Sequence, residues 1–206
     1  MKTLSVVFFL ALACLTSALE RTYVNANGTF ASRRNYSSLS VANGGRWGEW
    51  TWVDMCPERS YAIGFSVKVE PYGGSFSDDT SLNGIRLFCS TDQSDHIMYT
   101  IESDTGVFGH WSGVRWCPAN GILRAFQLKT EPDQGAGDDT AVNNIRFRCS
   151  NGLPLEEVGG TFGDYSEWSS ACYKGGICGI QTKQESYQGV WVDDTALNDV
   201  RFFCCE

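Results

Sequence analysis

Three stretches of this chain alternate apolar and polar residues with a period of two. "GFSVKVEP" puts Phe65, Val67 and Val69 on one side and Ser66, Lys68 and Glu70 on the other. "AFQLKTEP" repeats the arrangement with Phe126 and Leu128 inward and Lys129 and Glu131 outward. "GIQTKQES" keeps Ile180, Lys183 and Glu185 but is weakly apolar. Such alternation predicts half-buried β-strands. A second alternating run follows each of them: Ile85, Leu87 and Cys89, then Ile145, Phe147 and Cys149, then Val200, Phe202 and Cys204, with Arg86, Arg146 and Arg201 on the opposite face. No stretch carries a persuasive helical period.

The second run always grows out of the same words. "DDTSLNGIRLFC" starts at Asp78, "DDTAVNNIRFRC" at Asp138 and "DDTALNDVRFFC" at Asp193, so the copies are 60 and 55 residues apart. Self-similarity at a nearly fixed period marks a repeated supersecondary unit whose apolar face is buried against its neighbours. We read repeats at about 44–90, 106–150 and 160–206. The expected fold is all-β: three small antiparallel sheets about a pseudo-threefold axis, with their inner faces meeting in one core.

Cysteine positions follow the repeats. Cys56 to Cys89, Cys117 to Cys149 and Cys172 to Cys204 span 33, 32 and 32 residues, which predicts one disulfide per repeat. Comparison of the repeats favours Cys178 with Cys205 as the remaining pair, an extra staple that would offset the poorer apolar face of the third repeat. The adjacency of Cys204 and Cys205 leaves a swapped pairing open.

The first residues set the compartment. Lys2, an apolar run from Leu4 to Leu15, and Thr16 and Ala18 before a cleavage point read as a secretory signal at 1–18. No later stretch approaches the roughly 18 to 20 apolar residues of a spanning helix. Eight cysteines remain after Cys14 leaves with the signal, an even number suited to an oxidising, extracellular setting. Residues 19–43 read as an N-terminal extension, with sequons at Asn27 and Asn35. Residues 44–206 read as a single domain. Loss of Lys2 leaves 15 Lys+Arg against 24 Asp+Glu, a net charge of −9. That surface repels nucleic acid and anionic lipid and attracts cationic proteins. A monomer is expected.

Candidate chemistry is sparse. The paired aspartates suit a hard cation in type, but they lack the D-x-D-x-D-G spacing that wraps one ion and recur on three sheets. They read as turn residues, one capping the turn and the other pairing with Arg86, Arg146 or Arg201. Asn83, Asn143 and Asn198 read as turn or backbone-pairing residues. The cysteines pair by repeat and no Cys-x-x-Cys occurs, so no metal is expected; nor is any other cofactor. His96 and His110 sit in dissimilar contexts.

The copies diverge in the segments before each first cysteine: "RWGEWTW", "VFGHWSG" and "TFGDYSEW". Glu49, His110 and Asp164 are equivalent there, followed by Trp50, Trp111 and Tyr165. If these segments converge, Glu49 and Asp164 are candidate acid and base for glycoside chemistry. Trp50, His110, Trp111 and Tyr165 are then candidate sugar-binding groups. The competing reading has the aromatics packing between sheets and the charged groups solvated at turns.

Taken together, "GGRWGEWTWVDMCP", "GFSVKVEP", the threefold DDT unit and the closing "DVRFFCC" resemble the vitelline membrane outer layer protein 1 family, from Gly44 to Glu206. The resemblance implies a type I β-prism of three Greek-key sheets with four disulfides. It implies a secreted structural or interaction component of an extracellular glycoprotein layer such as the outer layer of the egg vitelline membrane, beside glycoproteins and cationic proteins such as lysozyme. A transferase-like activity on N-acetylchito-oligosaccharides is associated with the family, and carbohydrate binding is the alternative function it implies. The residues themselves favour a role other than an enzyme's.

Overall fold

A computed structural model describes residues 23–24, 30–31, 36–71, 80–91, 99–131, 142–186 and 196–206. The DDT aspartates, His96, and the sequon residues Asn27 and Asn35 lie outside the described residues. Among the described residues every regular element is a strand. A short hairpin, β1 (Tyr23–Val24) with β2 (Phe30–Ala31), precedes three antiparallel sheets.

The strands that build those sheets are β3 (Tyr36–Leu39), β4 (Glu49–Trp50), β5 (Asp54–Met55), β6 (Tyr61–Val69), β7 (Leu82–Ser90), β8 (Tyr99–Glu102), β9 (His110–Trp111), β10 (Arg115–Trp116), β11 (Leu123–Thr130), β12 (Val142–Cys149), β13 (Pro154–Glu156), β14 (Asp164–Tyr165), β15 (Gly176–Gln184) and β16 (Leu197–Cys205). The first sheet runs β10-β6-β7-β8, with β9 also along β6. The second runs β13-β12-β11-β14. The third runs β3-β16-β15-β4, with β5 also along β15.

Each sheet is centred on one of the expected hairpins: β6 with β7, β11 with β12, β15 with β16. The alternating residues do face the core: Phe65, Val67, Phe126, Leu128, Ile145, Phe147, Ile180, Val200 and Phe202 are all fully buried. Four phenylalanines from the three sheets meet at the centre, with ring centroids 4.7 Å apart for Phe65 and Phe147, 4.8 Å for Phe126 and Phe202, and 5.1 Å for Phe147 and Phe202. These distances are those of favourable aromatic contact.

The segment before each first cysteine does not stay with its own hairpin. It crosses to the previous sheet: β4 and β5 pair with β15, β9 and β10 with β6, and β14 with β11. A β-bulge receives it each time. The unpaired residue between two register positions is Ile63, Arg124 or Cys178. Its carbonyl accepts the amide of the arriving cysteine, Cys117, Cys172 or Cys56, at 2.7 to 2.9 Å.

The four disulfides join Cys56 to Cys89, Cys117 to Cys149, Cys172 to Cys204 and Cys178 to Cys205. The first three therefore tie one sheet to the next around the axis, while the fourth lies within the third sheet. The third sheet also takes in Tyr36–Leu39, from the segment read as an extension. Leu39 is 2% exposed and Tyr36 packs edge-on against Phe203 at 5.1 Å.

Candidate functional site

A glycine opens each crossing segment. Gly48, Gly109 and Gly163 have φ of 74°, 79° and 73°, and a Cβ at any of them would press into the carbonyl group of Gln184, Val69 or Thr130. Only glycine fits this left-handed, close approach. The next residue, Glu49, His110 or Asp164, is exposed and starts a two-residue bridge to the third, first or second sheet respectively. The three candidate polar groups are thus carried by three different sheets.

The aromatic that follows lies against the outer face of the sheet it has joined. The Arg201 guanidinium sits 4.4 Å from the Trp50 ring, Arg86 3.9 Å from Trp111, and Arg146 4.1 Å from Tyr165. This cation–π contact explains the recurring arginine, whose Nε is held from the side. Arg201 donates to Gln181 Oε1 at 2.7 Å and Arg146 to Gln127 Oε1 at 2.6 Å. The glutamine amides in turn donate to the crossing segment, at Thr51 O and Ser166 O. The first sheet has Ser66 at that register and its Arg86 bonds Glu102 Oε2 at 2.8 Å instead. Tyr165 donates to Glu156 Oε1, and burial together with that bond raises its pKa far above the ordinary phenol value.

Lysine closes the motif. Lys68 donates to Gly106 O, Lys129 to Thr161 O and Lys183 to Arg46 O, at 2.6 to 2.7 Å. These lysines of the alternating strands are therefore staples over the loop that leads into the next crossing. Gly45, Gly106 and Gly160 in those loops donate to the carbonyls of Asn198, Asn83 and Asn143. The asparagines are backbone-pairing residues through their own main chain, as read from the repeats.

The copies differ where two sheets meet. Asp54 Oδ1 accepts the Met55 amide and Oδ2 accepts the Glu102 amide at 3.1 Å, bridging β5 of the third sheet to β8 of the first. Burial pushes its pKa up to about 6, and the nearby Glu102 charge adds to the rise. At the next junction Arg115 pairs with Glu157 at 2.7 Å. Burial also raises Asp199 to about 6, opposed by Lys183 and Arg201.

The inner face of β15 holds a further departure. Thr182 and Gln184 occupy inward positions in the weakly apolar strand. Thr182 Oγ1 donates to Asp104 O at 2.8 Å, and Gln184 Nε2 donates to Asn83 O and Asp104 O at 3.1 and 3.0 Å. The sequence signal was visible as a loss of apolar character, but which polar partners would meet it was not. A cleft of about 220 Å³ opens at this junction, lined by residues that include Asn83, Asp104, Phe108, Gln184 and Glu185. Among the described residues no group of acidic, histidine or cysteine side chains is arranged to hold a metal ion, and no helix is long and apolar enough to cross a membrane.

The family profile described as "Vitelline membrane outer layer protein I (VOMI)" matches residues 37–206. The chain belongs to this family. It is 52% identical over 172 residues to a mouse protein named vitelline membrane outer layer protein 1 homolog, covering 84% of this chain and 85% of that one. A human protein of the same name is 47% identical over 174 residues, with the same coverage.

The fold of this family member is a β-prism like that of jacalin-related lectins. It superposes on artocarpin in complex with mannopentose with a TM-score of 0.51 at 11% identity, covering 83% of this chain and 97% of the lectin. A mannose-specific jacalin-related lectin from Morus nigra, in complex with mannose, gives 0.51 at 11% identity, with 85% and 97% covered. At such identity the likeness is one of fold.

Proposed function

We propose that this protein is a secreted, disulfide-clipped component of an extracellular glycoprotein layer, such as the outer layer of the egg vitelline membrane, that interacts with glycoproteins or glycans. The observation that carries the reading is the ring of three disulfides between sheets. A covalent tie at every sheet junction suits a protein that must persist outside the cell, and family membership supports the same setting. The acidic chain attracts cationic neighbours such as lysozyme through long-range charge. The test is sedimentation or biolayer binding of the purified protein to lysozyme and to isolated mucin-type glycoprotein at rising salt. Binding to lysozyme that weakens from 50 to 300 mM NaCl supports the reading, and absence of binding to either partner at low salt overturns it.

A carbohydrate-directed role is the second reading, favoured by the likeness to sugar-binding prisms. In it Trp50, His110, Trp111 and Tyr165 contact sugar, and Glu49 and Asp164 are the residues on which any N-acetylchito-oligosaccharide transfer depends. Incubation with chitohexaose and mass spectrometry tests it. Products longer and shorter than the hexamer, lost in Glu49→Ala and Asp164→Ala, support transfer at these residues. Products that survive both substitutions remove these carboxylates from the chemistry. An unchanged hexamer removes the transferase, and an empty glycan array as well removes the carbohydrate reading.

A further inference from the structure

The outer face of the second sheet departs from those of the other two. Where the first and third sheets have Phe88 and Phe203, paired with Gly64 and Gly179, the second has Arg148, paired with Ala125. Phe88 is 8% exposed beside Trp116, and Phe203 is 5% exposed beside Tyr36. Arg148 is half-buried, with its guanidinium 4.0 Å from the ring of Trp168. Trp168 comes from a longer crossing segment: Cys172 follows Gly163 by nine positions, whereas Cys56 follows Gly48, and Cys117 follows Gly109, by eight. Arg146 lies on the same face, 4.1 Å from the Tyr165 ring and 5.6 Å from that of Trp168. Tyr165, Arg146, Trp168 and Arg148 thus form a ladder in which aromatic faces hold two guanidiniums in place.

Neither charge is neutralised. In the first sheet Glu102, across from Arg86, pairs with it at 2.8 Å. In the second, Glu156 lies across from Arg146 but accepts from the Tyr165 hydroxyl and from Asn144 Nδ2 instead. Among the described residues no carboxylate forms an ion pair with Arg146 or Arg148. Arg146 spends its Nε on Gln127 Oε1 and keeps both Nη atoms, and Arg148 makes no hydrogen bond through any of its nitrogens. None of these unspent nitrogens is buried away from solvent. A phenylalanine would close this face as it does in the other sheets, whereas the arginine leaves an uncompensated charge.

We propose that Arg148 and Arg146 receive the carboxylate of a sugar acid at the end of a glycan chain, such as N-acetylneuraminic acid, with the part-exposed Trp168 beside its ring. The Arg148 guanidinium offers a fork of two donors to the carboxylate, and an Arg146 Nη adds another. Arg124, the bulge residue next to the Ala125–Arg148 pair, adds positive charge while its Nη2 donates to Cys172 O and Tyr173 O. So small a patch in a chain of net charge −8 suits a ligand with one localised charge, because a long polyanion is repelled by the rest of the surface. A peptide is disfavoured: β11 and β12 are paired on both sides, which leaves no strand edge beside the arginines for a peptide backbone. The site occurs once per chain, since Phe88 and Phe203 close the equivalent places. The proposal rests on the glycan reading above and puts its binding site on the second sheet alone.

The test is a ¹⁵N-edited NMR titration of the whole secreted protein that follows arginine Nε–H and tryptophan indole signals. The probes are methyl α-N-acetylneuraminoside, its carboxyl methyl ester, 6-sulfo-N-acetylglucosamine and a blocked Glu-Glu dipeptide. The expected result is a saturable shift of the Arg148 Nε–H and the Trp168 indole with the sialoside, weakened about tenfold or more in the ester, which has no charge to pair. Affinity for the sialoside should fall about tenfold in Arg148→Phe, which restores the residue type of the other sheets, and in Arg148→Lys, which keeps the charge but loses the fork. An unchanged or raised melting temperature in Arg148→Phe separates loss of the ligand from loss of the fold, and Arg148→Gln reads the same loss if that variant fails to fold. Equal binding of acid and ester, or undiminished binding in the folded Arg148 variants, overturns the proposal. Shifts here with the sulfated sugar or the dipeptide but not with the sialoside overturn the ligand class. Sialoside shifts confined to Trp50 and Trp111 overturn the site and leave the glycan reading standing. Silence with the sialoside overturns the proposal, and other glycans bound on the array would then leave the broader reading intact.

Discussion

Cys56 and Cys89 are bonded to each other across two sheets: the Cys56 amide is held by Cys178 O in the third sheet, and Cys89 is a residue of β7 in the first. The same relationship recurs at Cys117–Cys149 and Cys172–Cys204. What closes one repeat in sequence therefore clamps two neighbouring sheets in space. Replacing both cysteines of any of these pairs by serine should lower stability by about 2 to 5 kcal/mol. Denaturant unfolding under non-reducing conditions measures it. A loss below about 1 kcal/mol for all three would refute a clamping role.

Gly109 and Gly113 lie four residues apart in sequence but are not equivalent. Gly109 has φ of 79° with the Val69 carbonyl against its Cα, whereas a Cβ on Gly113 meets nothing within 4 Å. Gly109→Ala should destabilise by about 1 to 3 kcal/mol, while Gly113→Ala stays within about 0.5 kcal/mol. Thermal unfolding of the pair decides it, and equal effects would count against the crossing geometry.

Asp54 and Asp199 both have folded pKa values of about 6, above the ordinary 3.8. Between about pH 4 and 6 the folded chain retains protons that the unfolded chain has released. Stability should therefore fall as pH rises through that window and level off above it. Asp199→Asn should flatten part of this slope, since Asn144 fills the equivalent place in the second sheet and accepts the Ile145 amide at 2.8 Å as Asp199 accepts that of Val200 at 2.7 Å. Melting curves from pH 4 to 8 measure both, and a wild-type melting temperature that rises with pH across the window would contradict the assignment.

Trp111 covers Arg86, which also holds Glu102. Trp111→Ala should cost about 1 to 2 kcal/mol through lost ring burial and cation–π attraction. Glu49→Ala and Asp164→Ala, at exposed positions, should each stay within about 0.5 kcal/mol. Urea titration separates the two classes, and a large loss at Glu49 or Asp164 would mean that these carboxylates support the fold.

The strands and their faces were legible in the chain because period-two alternation follows from the pleat, and the repeat spacing of the cysteines pointed to Cys56–Cys89 and Cys117–Cys149. The choice between Cys204 and Cys205 as partner of Cys172 stayed open until the structure gave Cys172–Cys204 and Cys178–Cys205. The outer face was read less completely. The alternation put Lys68 and Lys129 on the outward face and kept Lys183 in the third copy without naming a partner for any of them, yet each caps a carbonyl in a loop leading toward the next crossing segment, at least 32 residues away in sequence. Weak apolarity in "GIQTKQES" pointed to a poorer core and an added disulfide. The structure adds that Thr182 and Gln184 face inward because Ser103 and Asp104, which follow β8 of the first sheet, supply their hydrogen bonds.

By itself the sequence determined the all-β class, the threefold division and the pattern of one disulfide per repeat, since each follows from local periodicity or from comparing one repeat with another; which of the adjacent Cys204 and Cys205 takes Cys172 was decided by the tertiary structure. Only the tertiary structure decided that each crossing segment belongs to the preceding sheet, that the disulfides bind sheet to sheet, and that Asn83 and Gln184 share a cleft. Those relationships join residues that are distant along the chain. They arise because the edge of each hairpin, with a bulge carbonyl still to be paired, is completed by the segment that leads into the following repeat.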